Sequence, residues 1–80
     1  MRHKNLSESF AAVLRKYRKN KKITQEALAE KADIASKMVS LIERGEINPS
    51  LNLMDSIAQG LGIPLAEMIA EAEKGRKKKN

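Results

Sequence analysis

The sequence predicts an all-α fold: one compact domain of five short helices with no sheet. Three observations carry that expectation. Apolar residues recur at spacings of three and four, the period of a helix face, and alternating runs are nearly absent. Residues that suit helix N-caps, Asn5, Thr24 and Ser50, stand just ahead of three of the apolar runs. The chain has 80 residues, enough for a single small core.

Asn5 followed by Glu8 has the spacing of a capping box. Behind it Leu6, Phe10, Val13, Leu14 and Tyr17 share one face, and Lys and Arg fill the other. Phe10 and Tyr17, the only aromatics, fall on the apolar face and read as core rather than as stacking platforms for bases. Asn20-Lys21-Lys22 ends the pattern, where lysines suit the negative end of the helix dipole. Thr24 caps a second helix, with Ala27, Leu28, Ala29 and Ala32 as its apolar residues. Asp33-Ile34-Ala35 makes a turn. A third helix runs from Ser36 to Arg44 with Val39 and Ile42 inward, and Gly45 supplies a left-handed stop. Pro49 stiffens the following loop. Ser50 caps a fourth helix carrying Leu53, Met54, Ile57, Ala58 and Leu61, with Gly60 and Gly62 bracketing its end. Pro64 opens a fifth helix, where a missing N–H costs no bond, and Leu65, Met68, Ile69 and Ala72 form its apolar side. Residues 1–73 are expected to form the domain. The basic residues 74–80 are expected to be a disordered tail.

Composition excludes several function classes. There is no cysteine, so neither a disulfide nor a thiolate metal site is available. The one histidine, His3, has no partners with which to build a catalytic or metal cluster, and there is no Gly-rich phosphate loop. The expectation is a non-enzyme with no cofactor and no metal. No apolar run approaches the roughly 20 residues that span a bilayer, and Met1 to Asn5 leads into no secretory signal. A cytoplasmic protein without membrane contact is expected. The net charge of +6 favours an anionic partner. Residues 1–45 carry 11 Lys and Arg against 5 Asp and Glu, whereas residues 46–73 carry 5 acids and no base. The N-terminal half should therefore meet the polyanion, and the acidic segment should face away or meet protein.

Residues 24–44 carry the functional signal. Two helices of under ten residues joined by a turn of about three have the dimensions of a helix-turn-helix. With Ile34, Val39 and Ile42 turned inward, the outer face of the third helix is left with Ser36, Lys37, Ser40, Leu41 and Arg44. Such groups can touch phosphate, base edges or a thymine methyl. Anchors outside this segment extend the pattern: Leu14-Arg15-Lys16-Tyr17-Arg18, Ile23-Thr24-Gln25-Glu26-Ala27-Leu28-Ala29, Val39-Ser40-Leu41-Ile42-Glu43-Arg44-Gly45, Asn48-Pro49-Ser50-Leu51 and Leu61-Gly62-Ile63-Pro64-Leu65. In order and spacing these strings resemble the Cro/repressor-type helix-turn-helix family, also called the xenobiotic response element family.

The resemblance implies a lambda-repressor-like domain that binds double-stranded DNA. It implies a DNA surface made of Thr24, Gln25, Ser36, Lys37, Ser40, Leu41, Arg44 and Asn48. Gln25 matches a phosphate-binding glutamine, and Asn48 lies where the loop after the third helix meets phosphate. Ser36, Lys37 and Leu41 match base-reading positions; Lys37 suits guanine, and Leu41 suits a thymine methyl. Arg18 and Glu43 match a structural ion pair between the first and third helices. Three positions depart from the pattern: Asp33 stands where the family usually has glycine, Ala35 where it usually has a capping Ser or Thr, and Leu41 where relatives are often polar. The expected function is a homodimeric transcription regulator on a palindromic operator, paired through the fourth and fifth helices, with recognition helices about 34 Å apart. A phage-type repressor, a restriction–modification controller and a small autoregulator all fit. The alternative is an antitoxin or adaptor whose main partner is a protein.

Overall fold

The computed structural model describes residues 5–77. Five helices follow one another: α1 (Leu6–Asn20), α2 (Gln25–Ala32), α3 (Ser36–Glu43), α4 (Leu51–Leu61) and α5 (Leu65–Lys77). No strand occurs among the described residues. The expected all-α fold of five helices is what the structure shows.

The helix starts follow local side-chain chemistry. Asn5, Thr24 and Ser50 each accept a hydrogen bond from the backbone N–H three residues on, satisfying one orphan donor of the first turn. Ala35 stands at the same position of α3 with no side-chain bond to give. Pro64 sits one place before α5, and its carbonyl accepts from Glu67 and Met68.

The helix ends share a device. After α1, α2, α3 and α4 the chain takes one residue in the left-handed region: Lys22, Asp33, Gly45 and Gly62. Each end is closed by the paired bonds of a Schellman motif, such as Glu46 N to Leu41 O at 3.0 Å and Gly45 N to Ile42 O at 3.0 Å. At α1, α2 and α4 the next residue is an isoleucine, Ile23, Ile34 or Ile63, and each packs against the core edge. Gly45 needs its glycine because φ is +72° there. Asp33 meets the same demand at φ 60° with a side chain that tolerates it.

The core lies where α1 meets α5 and where α2 meets α3 and α4. Phe10, Leu14, Leu28, Val39, Ile42, Ile57 and Met68 are buried to 1 % exposure or less. Leu6, Tyr17, Leu53, Met54, Leu65 and Ile69, which the periodicity also places inward, are only half-buried around that centre. Gly60 and Gly62 flank Leu61, the last residue of α4, and so bracket its end as expected. A Cβ there would come within 3.1 Å of both Ala32 Cβ and Leu28 Cδ1. The bare backbone of Gly60 is what lets α2 and α4 cross closely.

Helix α5 corrects the expected end of the ordered chain. It continues through Lys74 and Gly75 to Lys77, four residues past Glu73. Ala72 is fully buried, Lys16 on α1 bonds Glu71 at 3.0 Å, and Arg76 bonds Glu73 at 2.8 Å. These contacts outweigh the low helix propensity of one glycine. Residues 78–80 of the expected tail lie outside the described residues.

Candidate nucleic-acid interface

The outer face of α3 is held in place by a polar cluster beneath it. Glu43, in the last turn of α3, is 5 % exposed. Its carboxylate accepts from Arg18 Nε at 2.6 Å and Arg18 Nη2 at 3.1 Å, a two-pronged match of guanidinium to carboxylate. Gln25 Nε2 donates to Glu43 Oε1 at 3.0 Å. Arg18 Nη1 also reaches the carbonyl of Ile23 at 2.8 Å, tying the α1–α2 turn into the same cluster. Arg15 donates to the backbone carbonyl of Glu43 at 2.6 Å, supplying a cation to the negative end of α3. Thus α1 and α2 both grip the end of the helix that should read DNA.

Burial alone would push the Glu43 carboxyl upward. The hydrogen bonds from Arg18 and Gln25, with the charges of Arg18 and Arg15, outweigh it and hold Glu43 below the usual carboxylate range. Arg18 is raised by its bond to Glu43. Both groups are charged at neutral pH.

Ser36 and Lys37 are exposed at the start of α3, and neither side chain has a bonding partner among the described residues. Ser40 and Leu41 are half-buried on the same helix. Arg44 is exposed and pairs with Glu46 at 3.2 Å, a surface contact of small worth. Thr24 is exposed, and its hydroxyl oxygen accepts from Ala27 N at 2.9 Å, which leaves its proton to donate. Gln25 is half-buried; one amide hydrogen serves Glu43, and the other is left for an outside acceptor.

Asn48 is exposed in the α3–α4 loop, and its Oδ1 lies 2.7 Å from the Ser7 hydroxyl. The same hydroxyl lies 2.9 Å from Asn5 Oδ1, so its single proton serves one acceptor at a time. Asn48 keeps its amide hydrogens for a partner. Of the basic cluster on α1, Arg15, Lys16 and Arg18 are committed to protein partners, whereas Lys19, Lys21 and Lys22 are exposed.

Two functional links escaped sequence reasoning. The bond from Arg15 to the α3 terminus had a signal, since Arg15 and Arg18 are three apart and share one face of α1. The Ser7–Asn48 link spans 41 residues and had none.

The chain belongs to the helix-turn-helix family whose pattern it matches over residues 14–68, a family of DNA-binding transcription regulators. The Cro/repressor-type resemblance is borne out. The chain is 41% identical over 54 residues to an immunity repressor protein of Bacillus phage phi105, a match covering 68% of this chain and 38% of the repressor. It is 39% identical over 66 residues to the control protein C.MunI of a Mycoplasma species, covering 81% of this chain and 89% of that protein. In structure it is similar to the clp gene regulator ClgR of Corynebacterium glutamicum, with a TM-score of 0.87 at 31% identity over 94% of this chain and 80% of that one. The chain thus spans well under half of the phage repressor's length and most of the control protein's.

Proposed function

We propose that this chain is a sequence-specific regulator of transcription that binds a palindromic duplex operator as a homodimer in the cytoplasm. The observation that carries the reading is the exposed start of α3. Ser36 and Lys37 point no bond inward, while α1 and α2 hold the helix from behind through Glu43. Lys37 is the direct base reader, suited to guanine O6 and N7, and Leu41 gives apolar contact to a thymine methyl. Ser36, Ser40 and Arg44 add base or phosphate contacts. Thr24, Gln25 and Asn48 grip phosphate from two sides and set the register of the helix in the groove.

Two features support a dimer through α4 and α5. Leu51, at the start of α4, is 66 % exposed, the one large apolar side chain so placed among the described residues. Leu53, Met54, Leu65 and Ile69 are only half-buried. A second copy covering these residues would space two recognition helices for adjacent major-groove half-sites.

Selection of binding sites from random duplex DNA at fixed salt tests the reading. A palindromic consensus is expected, and no enrichment would overturn it. Sedimentation should show a dimer at micromolar concentration; a monomer would remove the homodimer from the account.

A further inference from the structure

The α3–α4 loop has few ties of its own. Ile47 packs against the core edge, and Pro49 fixes one backbone angle. Among the described residues, a single hydrogen bond joins the stretch 47–49 to the rest of the chain. The Ser7 hydroxyl meets Asn48 Oδ1 at 2.7 Å, across 41 positions of sequence.

Ser7 makes a firm anchor. It is half-buried in the first turn of α1, between the cap residue Asn5 and the fully buried Phe10. Its one proton has two acceptors in reach, Asn48 Oδ1 at 2.7 Å and Asn5 Oδ1 at 2.9 Å. The two acceptors are unequal. Asn5 Oδ1 already accepts from Glu8 N at 3.0 Å, whereas Asn48 Oδ1 has no other donor among the described residues. The proton is therefore worth more on Asn48. An exposed asparagine side chain without such a bond is free to turn about both its torsions. With the carbonyl oxygen of Asn48 fixed on α1, its amide nitrogen is held on the other arm of the same planar group. Both amide hydrogens are then left for an acceptor outside the chain.

We propose that Ser7 is a positioning residue for DNA binding: its hydroxyl holds the Asn48 amide in one orientation, so that the loop meets a backbone phosphate with its donor already aimed. The inference rests on the reading of Asn48 as a phosphate contact. Ser7 acts through Asn48 and not by touching DNA. Its contribution is entropic, because a side chain ordered before the encounter has less freedom to lose on binding. The contact is to phosphate, so the effect is alike on every duplex sequence.

The probe is a mixed-sequence duplex of about three helical turns, titrated with the full chain at fixed salt. Asn48→Ala should weaken binding about 10–100-fold, the range for a hydrogen bond to a charged group. Ser7→Ala should weaken it about 2–10-fold, the range for one freed side chain. Ser7→Thr keeps the hydroxyl and should bind like the parent. In an Asn48→Ala background, Ser7→Ala should change affinity by less than about 2-fold, because no amide is left to aim. A general loss of structure, or a direct contact from Ser7 to phosphate, would persist in that background. Nuclear magnetic resonance of the free protein gives a readout that needs no DNA. The order parameter of the Asn48 side-chain amide should drop in Ser7→Ala and hold in Ser7→Thr. The proposal is overturned if Ser7→Ala binds as the parent does, if its loss is undiminished beside Asn48→Ala, or if the amide stays ordered without the hydroxyl. Asn48→Ala binding as tightly as the parent would reject Asn48 as a phosphate contact, and the positioning role with it. Failure of site selection with the Ser7 and Asn48 losses intact would reject the operator and keep the positioning role.

Discussion

Replacing Glu43 with alanine should destabilise the protein by about 3–5 kcal/mol without removing any contact to DNA. The side chains of Arg18 and Glu43 are 13 % and 4 % exposed, so water screens little of their interaction. Removing the carboxylate strands a buried guanidinium, which typically costs about 3–5 kcal/mol. It also leaves Gln25 without its acceptor. A domain of this length holds roughly 4–12 kcal/mol in total, from about 0.05–0.15 kcal/mol per residue. The loss is thus between about a quarter and all of the stability. Urea unfolding followed by circular dichroism measures it. The paired change Arg18→Met with Glu43→Leu removes both charges together and should recover most of the loss, because apolar replacement of a buried pair is close to neutral. Acid titration gives a second readout. The folded Glu43 is held below its usual range, so its contribution is complete above the unfolded glutamate value and fades as pH falls through the lower folded value. That segment of the pH profile should flatten in the alanine variant. A cost under about 1 kcal/mol, or a double variant no more stable than the single one, would refute the reasoning.

Other outcomes follow from single positions. Gly60→Ala should destabilise by about 1–2 kcal/mol in thermal melting, because overpacking against Ala32 and Leu28 exceeds the helix-propensity gain. Asp33→Gly should stabilise by up to about 1 kcal/mol by relieving a left-handed residue with a side chain, and should leave DNA affinity unchanged. Lys37→Ala should cost about 1–3 kcal/mol of binding and relax base preference at one position. Gln25→Ala should instead weaken binding to all sequences alike and also lower stability, since Gln25 bonds Glu43. Leu51→Lys should shift sedimentation toward monomer with the fold intact, because Leu51 is exposed in the single chain.

Most of the fold was legible because its signals are local. Asn5, Thr24 and Ser50 cap helices through their own side-chain oxygens, and that chemistry is written in residue type. The missing cap at Ala35 was equally readable. What escaped depends on what packs against what. Lys22 takes a left-handed conformation that its type does not advertise, imposed where Ile23 seals the end of α1. Gly60 marks the end of α4 as its spacing suggests, but the close approach of Ala32 that requires a bare backbone there has no local signal. Gly75 and its basic neighbours read as a tail, yet burial of Ala72 carries the helix past them. In the candidate interface, exposure of Ser36 and Lys37 followed from helix period alone. The double duty of Gln25 did not, because the acceptor it meets comes from a helix eighteen residues away.

The exposed start of α3 has a consequence for how such a protein diversifies. Ser36 and Lys37 contribute no side-chain bond to the fold among the described residues, while Val39, Ile42 and Glu43 on the opposite side are all buried. Substitutions on the outward side should leave the melting temperature nearly untouched, since surface changes away from special features stay within about 0.5 kcal/mol. On the proposed reading of this face, the scaffold can inherit new target sequences by drift at a few positions, with no intermediate that fails to fold. Duplicated copies of such a gene could part ways in what they read long before they part ways in shape.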